Sequence, residues 1–540
     1  MRTNFAIVAL FCAVSPALAS TGGPSNRFKM DAAPEIFARQ DDFVTFAKSL
    51  EVPEPQIKSL STSLSAAKTS SAILGVACLT AQLLLGEARV DTTPLNQAVV
   101  QENWSQTCVA QPYCIIQPRS PKDVSVAIRI INFFKIKFSV RSGGHSPNPG
   151  FSSIGSQGIL IDLSRLNSVS LSTDKKVATV GPGARWGEVV SALDASQTSV
   201  IGGRIPNVGV GGLILGGGYF HTSERFGLAA DNVKNFEVVK SNGDIINANA
   251  NQNSDLFWAL KGGGPNFGIV TKFDLYTVPT YLVWGTILVY GVDQANNVLA
   301  AFDQWQNNGA KDVKSTAGMV ISLDSISIFL TYSDPVAAPP PAVFAPFDAI
   351  TPLAVALPPG NFTWNIVNQI LLAGASTTPA RHDYRAFSSR IDTSLTQEMY
   401  SVWRGKAIAA RGAFGVNQTF VIQHVGEGLR QAGIARGGNP LSIPPGPQQW
   451  WTTLIDWTDP RFDANARHVS IETTTRWAQR AKERGVEVPF LYLNDASRDQ
   501  KPLATYGAAN LARLRSIAAK YDPAQVFQKL QNDGFLLSKA

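Results

Sequence analysis

The chain is poor in the residues that most enzyme classes require. Five histidines, at 145, 221, 382, 424 and 468, and four cysteines offer no pair at metal-ligand spacing, which leaves no zinc pattern. No G-x-S-x-G elbow is present, so a serine hydrolase has no footing. Charged residues make up only 16% of the 540, and the net charge of +7 is scattered rather than gathered into a basic stripe, which argues against a nucleic-acid partner. Apart from a short apolar run at the start, no stretch has the roughly 20 apolar residues that a membrane span needs. A hydrophobic share of 44% allows a large core, and the length exceeds that of one ordinary domain.

The first nineteen residues read as a secretory signal: Arg2 is the positive region, Phe5 to Val14 the apolar region, and Ala17-Leu18-Ala19 the cleavage site. The expected location is therefore extracellular. Cys12 leaves with the signal, and Cys78, Cys108 and Cys114 remain, an odd number for an oxidising compartment. Sequons at Asn103, Asn361 and Asn417 agree with export.

Glycine is abundant, and it is concentrated. Val140-Arg141-Ser142-Gly143-Gly144-His145-Ser146 opens a stretch that ends at Gly209-Val210-Gly211-Gly212-Leu213-Ile214-Leu215-Gly216-Gly217-Gly218-Tyr219. Without a Cβ, such turns let backbone amides approach a ligand closely, and successive N–H groups form concavities suited to a pyrophosphate. The Rossmann fingerprint is excluded: a pattern begun at Gly209 would need glycine at Ile214, and no helix signal follows at once.

These motifs, with Ile159 to Leu166, Val180-Gly181-Pro182-Gly183-Ala184, Gly227 to Val233, Asp255 to Gly264 and Asn266 to Thr271, resemble the flavin-binding domain of the berberine-bridge-enzyme-like oxidases of the vanillyl-alcohol-oxidase superfamily. The resemblance resumes at Phe490-Leu491-Tyr492-Leu493-Asn494-Asp495, similar to the family's Tyr-x-Asn strand, and in the helical tail after Tyr506. It implies an α+β protein, a two-lobed FAD-binding domain with an antiparallel-sheet substrate domain. The implied division is a signal at 1–19, a helical extension at 20–103, FAD-binding segments at 104–280 and 489–540, and the substrate domain at 281–488.

Carried over residue by residue, the resemblance places FAD against Arg141, Ser142, Gly143, Gly144, His145, Ser146, Gly209, Gly211, Gly212, Gly217, Gly218, Ile269 and Asn494. His145 is the position bonded to the flavin's 8-methyl carbon. The family's second, cysteinyl bond is impossible here, because Ile205 holds that position in Ile205-Pro206-Asn207-Val208, and a histidine common in relatives is replaced by Leu213. Tyr492 is the candidate general base, against the alternative of a packed core aromatic, and Asn494, two residues on, is expected on the same side of that strand. The family also implies a Cys78–Cys114 disulfide with Cys108 left over. The implied activity is oxidation of a small organic substrate by hydride transfer to flavin N5, with dioxygen reoxidising the flavin. A secondary metabolite or alcohol is the expected substrate, an oligosaccharide or a fold kept for binding the alternatives. The pair Trp450-Trp451 and Trp457 read as core packing before pocket lining.

Local patterns agree with a mixed fold. Ser120-Pro121-Lys122-Asp123 predicts a helix start with a serine cap, proline in the first turn and Asp123 at the capping-box position, and Val124, Ala127, Ile128, Ile131 and Phe134 form its buried face. Ile136 to Val140 predicts a strand, Phe236 to Ile246 a hairpin about Asn242-Gly243, and Thr271 to Tyr276 a further strand.

Overall fold

The computed structural model describes residues 40–337, 341–373 and 378–540. The signal expected at 1–19 lies outside them.

Three helices, Gln40–Ser49, Glu54–Ala66 and Ser70–Leu85, form the N-terminal layer. The third buries Cys78, which is bonded to Cys114 at the head of strand Cys114–Ile116; Cys108 is a buried thiol. The bridge joins residues 36 apart. Cross-linking of the unfolded chain gives such a bridge about 2–4 kcal/mol. Cys78→Ser is expected to lower unfolding stability in denaturant by that amount, and non-reducing peptide mapping to recover Cys108 as the free thiol.

The predicted helix spans Pro121–Phe134, with the Ser120 hydroxyl accepting from the Asp123 amide and the five expected apolar residues buried. The reciprocal half of the expected capping box is absent. Asp123 turns to the Arg119 amide instead, 2.8 Å away, and the Ser120 amide goes without it. This helix, the N-terminal layer and a four-stranded sheet share one core. In that sheet Val90–Asp91 pairs antiparallel with Cys114–Ile116, and Gly158–Asp162 runs parallel between Cys114–Ile116 and Lys137–Arg141. Gly158–Asp162 is buried along its whole length, as an inner parallel strand must be.

A second, antiparallel sheet contains Val169–Leu171, Val177–Val180, Ile269–Val278, Val233–Val239 and Ile245–Asn249, with Ser199–Val200 added beside Ile269–Val278. The predicted hairpin is its last pair. These two sheets are the two lobes of the binding domain. The C-terminal helix Ala508–Tyr521 contributes Leu514 and Ile517 to the second core, and the tail then reaches the first sheet. There the Phe138 amide donates to the Leu530 carbonyl and the Asn532 amide to the Phe138 carbonyl.

A third sheet has eight antiparallel strands, all between Leu282 and Trp457. Helices Ala295–Asn307, Thr393–Phe414 and Asp463–Glu483 cover one face. Alternation along each strand sends neighbours to opposite sides. Phe387, Ile422 and Trp451 pack under those helices, while Tyr384, Gln423 and Trp450 face the binding lobes. The three tryptophans at 450, 451 and 457 are all core residues.

Two expectations are corrected here. Phe490 to Asp495 is not a strand: Tyr492 is extended and unpaired, and Leu493–Asp495 is a 3-10 turn. Asn103 is buried and donates to the Cys108 carbonyl, which leaves no room for a glycan on that sequon. No helix among the described residues is long and apolar enough to cross a membrane.

Candidate functional site

Between the two lobes and the third sheet lies a cavity of about 350 Å3. Its floor is a crossing of two glycine turns. A Cβ on Gly143 would stand 2.5 Å from the Gly209 Cα, and one on Gly209 would stand 2.3 Å from the Gly143 nitrogen. Only two glycines permit that approach. Ser142 secures the crossing by donating to the Pro182 carbonyl and accepting from the Gly211 amide. Arg185 bolts the turns together, donating to the carbonyls of Gly143 at 2.9 Å and Asn207 at 2.6 Å, with Glu102 as its counter-ion. The glycine run itself holds a short helix, Val210–Leu215, where the sequence showed no helix signal; apolar Val210, Ile214 and the small glycines let it bury against the lobe.

Of the fourteen residues proposed from the sequence as cofactor contacts or base, eleven line this cavity: Ser142, Gly143, Gly144, His145, Ser146, Gly209, Gly211, Gly212, Ile269, Tyr492 and Asn494. Arg141, Gly217 and Gly218 stand behind its wall. Arg141 is fully buried in an ion pair with Asp162. Gly217 and Gly218 have φ of 116° and 79°, and they turn the chain out of the short helix against Leu228 and Ala229.

His145 is partly buried at the cavity wall, and desolvation pushes its imidazole down to about 3, so the ring is neutral. It stacks on Trp104 with centroids 4.2 Å apart, and Trp104 stacks in turn on His382 at 3.7 Å. His382 Nδ1 is held by Asp456. The Tyr384 hydroxyl lies 3.4 Å from His145 Nδ1. A neutral ring nitrogen at the cavity wall retains a lone pair, the requirement for a nucleophile.

The Tyr492 oxygen accepts the Tyr219 amide at 2.8 Å and Asn494 Nδ2 at 3.1 Å, and its ring stacks on Trp450. Asn494 also donates to the Leu213 carbonyl. The 3-10 turn, not strand alternation, brings Tyr492 and Asn494 to one side. Burial, and after it the Asp495 carboxylate, push the Tyr492 phenol well above the ordinary tyrosine range; Arg204 opposes this.

Sequence reasoning missed Arg185, Arg204, Tyr219, Tyr384 and Asp495. It assigned the tail to the binding domain without singling out Gln531, Gly534 and Phe535, which close one wall. Cys108 plays no part in the lining; its Sγ contacts the Ser146 carbonyl.

The lining fits FAD. A Cβ on Gly212 would meet nothing within 4 Å, so that glycine leaves space in the cavity wall, and the buried Asn148 Oδ1, an acceptor, has no partner among the described residues. Among the described residues no cluster of acids, cysteines and histidines could hold a metal ion.

The family model for an FAD binding domain matches residues 112–249. The chain is 40% identical over 445 residues to an FAD-dependent monooxygenase of Arthrobotrys oligospora, covering 82% of this chain and 85% of that one. It is 35% identical over 504 residues to an FAD-dependent monooxygenase of Aspergillus niger, covering 92% and 85%. Among solved structures, the glucooligosaccharide oxidase of Acremonium strictum, described as carrying 6-S-cysteinyl, 8α-N1-histidyl FAD, superposes with a TM-score of 0.66 at 20% identity, covering 80% of this chain and 94% of that one. At that identity the likeness is one of fold.

Proposed function

The chain belongs to the FAD-dependent monooxygenase family, within the vanillyl-alcohol-oxidase superfamily of FAD-binding oxidoreductases, and from that premise we propose that it is an exported oxidoreductase whose FAD is tethered through His145 alone. FAD, when bound, supplies the acceptor for a hydride from substrate carbon and passes the electrons to dioxygen. The protein's part is to hold, orient and deprotonate. Ser142, Gly143, Gly144, Ser146, Gly209, Gly211 and Gly212 present backbone to the cofactor, and Asn494 and Ile269 complete the wall. Tyr492 takes the proton from the substrate's O–H. Small secondary metabolites or alcohols are the substrate class.

The neutral His145 ring carries this reading, because among the described residues it is the one imidazole at the cavity wall and no thiol lines it. Ile205 lines the same cavity with an exposed aliphatic side chain, where a cysteinyl bond would otherwise form. Wild-type protein should keep its yellow colour after acid precipitation, with the flavin on the peptide containing His145. His145→Ala should release all its flavin on denaturation. Flavin that stayed with denatured His145→Ala would assign the bond to another residue.

The names of the relatives favour a second outcome for the same site, insertion of an oxygen atom from dioxygen into the substrate. Turnover under 18O2 separates the two: label in the organic product marks a monooxygenase, and label confined to peroxide and water marks an oxidase.

A further inference from the structure

The cavity's charges are sparse. Among the described residues that line it, Arg204 is the sole lysine or arginine and Asp495 the sole acid. They do not meet. Gln423, from the third sheet, stands between them: Arg204 Nη2 donates to Gln423 Oε1, and Gln423 Nε2 donates to Asp495 Oδ2 at 2.7 Å. The guanidinium lies over the Tyr219 ring, 4.8 Å from its centroid, leaving Nε and Nη1 with no acceptor among the described residues. Around it the walls are apolar or aromatic, with Ile205, Tyr219, Tyr384 and Tyr492. Asp495 is a weak counter-ion, since burial pushes its carboxyl upward before Arg204 and Gln423 pull it back.

We infer that Arg204 anchors an anionic oxygen of the substrate, so that the substrate class is a small, largely apolar organic acid bearing a carboxylate or an acidic enol or phenol. A guanidinium held by an aromatic face and an amide is pre-oriented, so little entropy is lost when it takes a further acceptor. Charge-assisted hydrogen bonds are roughly twice as strong as neutral ones, and low-dielectric walls strengthen them further. A carbohydrate would present only neutral hydroxyls here and would leave the guanidinium without an anion. The inference rests on the reading of the cavity as the FAD and substrate site, and it adds what that site selects.

The test is titration of the holoenzyme with sodium benzoate, with pentafluorophenolate and with neutral benzamide, followed by the flavin absorbance and by calorimetry. At least one anion is expected to bind about tenfold or more tighter than benzamide, the gain of a charge-assisted bond over a neutral one. The tighter of the two anions distinguishes a carboxylate site from one for an acidic enol or phenol. Arg204→Met should weaken that anion at least about tenfold and benzamide less than about twofold, while Arg204→Lys retains part of the preference. Anions that bind no better than benzamide to wild-type protein would overturn the inference without recourse to any variant. So would an Arg204→Met protein whose anion affinity stayed within about twofold of wild type. A colourless wild-type protein would instead remove the flavin reading beneath it.

Discussion

Tyr492→Phe is expected to slow anaerobic bleaching of the bound flavin by about 100- to 10,000-fold while the protein remains yellow, the range that a positioned acid–base group contributes. The oxygen that the substitution deletes accepts two N–H groups, from the Tyr219 amide and Asn494 Nδ2. Two donors aimed at one phenol oxygen stabilise its anion, as a base needs. Burial and Asp495 act against that anion and hold the proton on at neutral pH. The sign of the pH dependence follows. Because the active form is the deprotonated one and its pKa is raised, the reduction rate should climb with pH through the alkaline range. Tyr492→Phe should lose that climb as well as the rate. Stopped-flow reduction at several pH values reads both. A variant with an unchanged rate and an unchanged profile would return Tyr492 to packing against Trp450, where its ring is stacked at 4.7 Å.

The parts of the site that were legible in the sequence are those in which a residue type is demanded by local geometry. Gly143 and Gly209 are such a case, since two chains that cross at backbone contact exclude any side chain. The helix Pro121–Phe134 is another, because its cap at Ser120 and its apolar face are written within one short, continuous stretch. The pairing of Cys78 with Cys114 came from family resemblance, and the geometry then agreed. Tyr384 had no such signal. It is one more aromatic on a strand, and only the register of Arg381–Ser389 against Gln448–Trp457 fixes which face it occupies. Arg204 and Asp495 were hidden for a related reason: they are linked through Gln423, which lies 219 residues from the first and 72 from the second. Asn494 was placed on the correct side for the wrong reason, since a 3-10 turn rather than a strand brings it beside Tyr492.

Arg141 marks the limit of reading a motif by its neighbours. It belongs to the Arg-Ser-Gly-Gly-His-Ser run yet contributes nothing to the cavity surface. It and Asp162 are register partners at the ends of two adjacent parallel strands, both essentially without exposure. Arg141 Nε and Nη2 both reach Asp162 Oδ2, and Nη2 also donates to the Val99 carbonyl at 2.6 Å. Asp162 Oδ1 meanwhile accepts the Ser164 amide. The pair therefore fixes where strand Lys137–Arg141 stops and where the turn to His145 begins; a Cβ on Gly144 would already lie 3.2 Å from the Arg141 Cδ. Arg141→Met is expected to cost about 3–5 kcal/mol of unfolding free energy, because it leaves the Asp162 carboxylate buried without its cation. Arg141→Met with Asp162→Leu should recover part of that loss, since no charge is then stranded. It should not recover all of it, because the Ser164 amide loses its acceptor, worth about 1–3 kcal/mol when buried. Urea unfolding of the three proteins measures the difference. A single variant within about 1 kcal/mol of wild type would show that water reaches Asp162 and that the strand ends are held by the sheet alone.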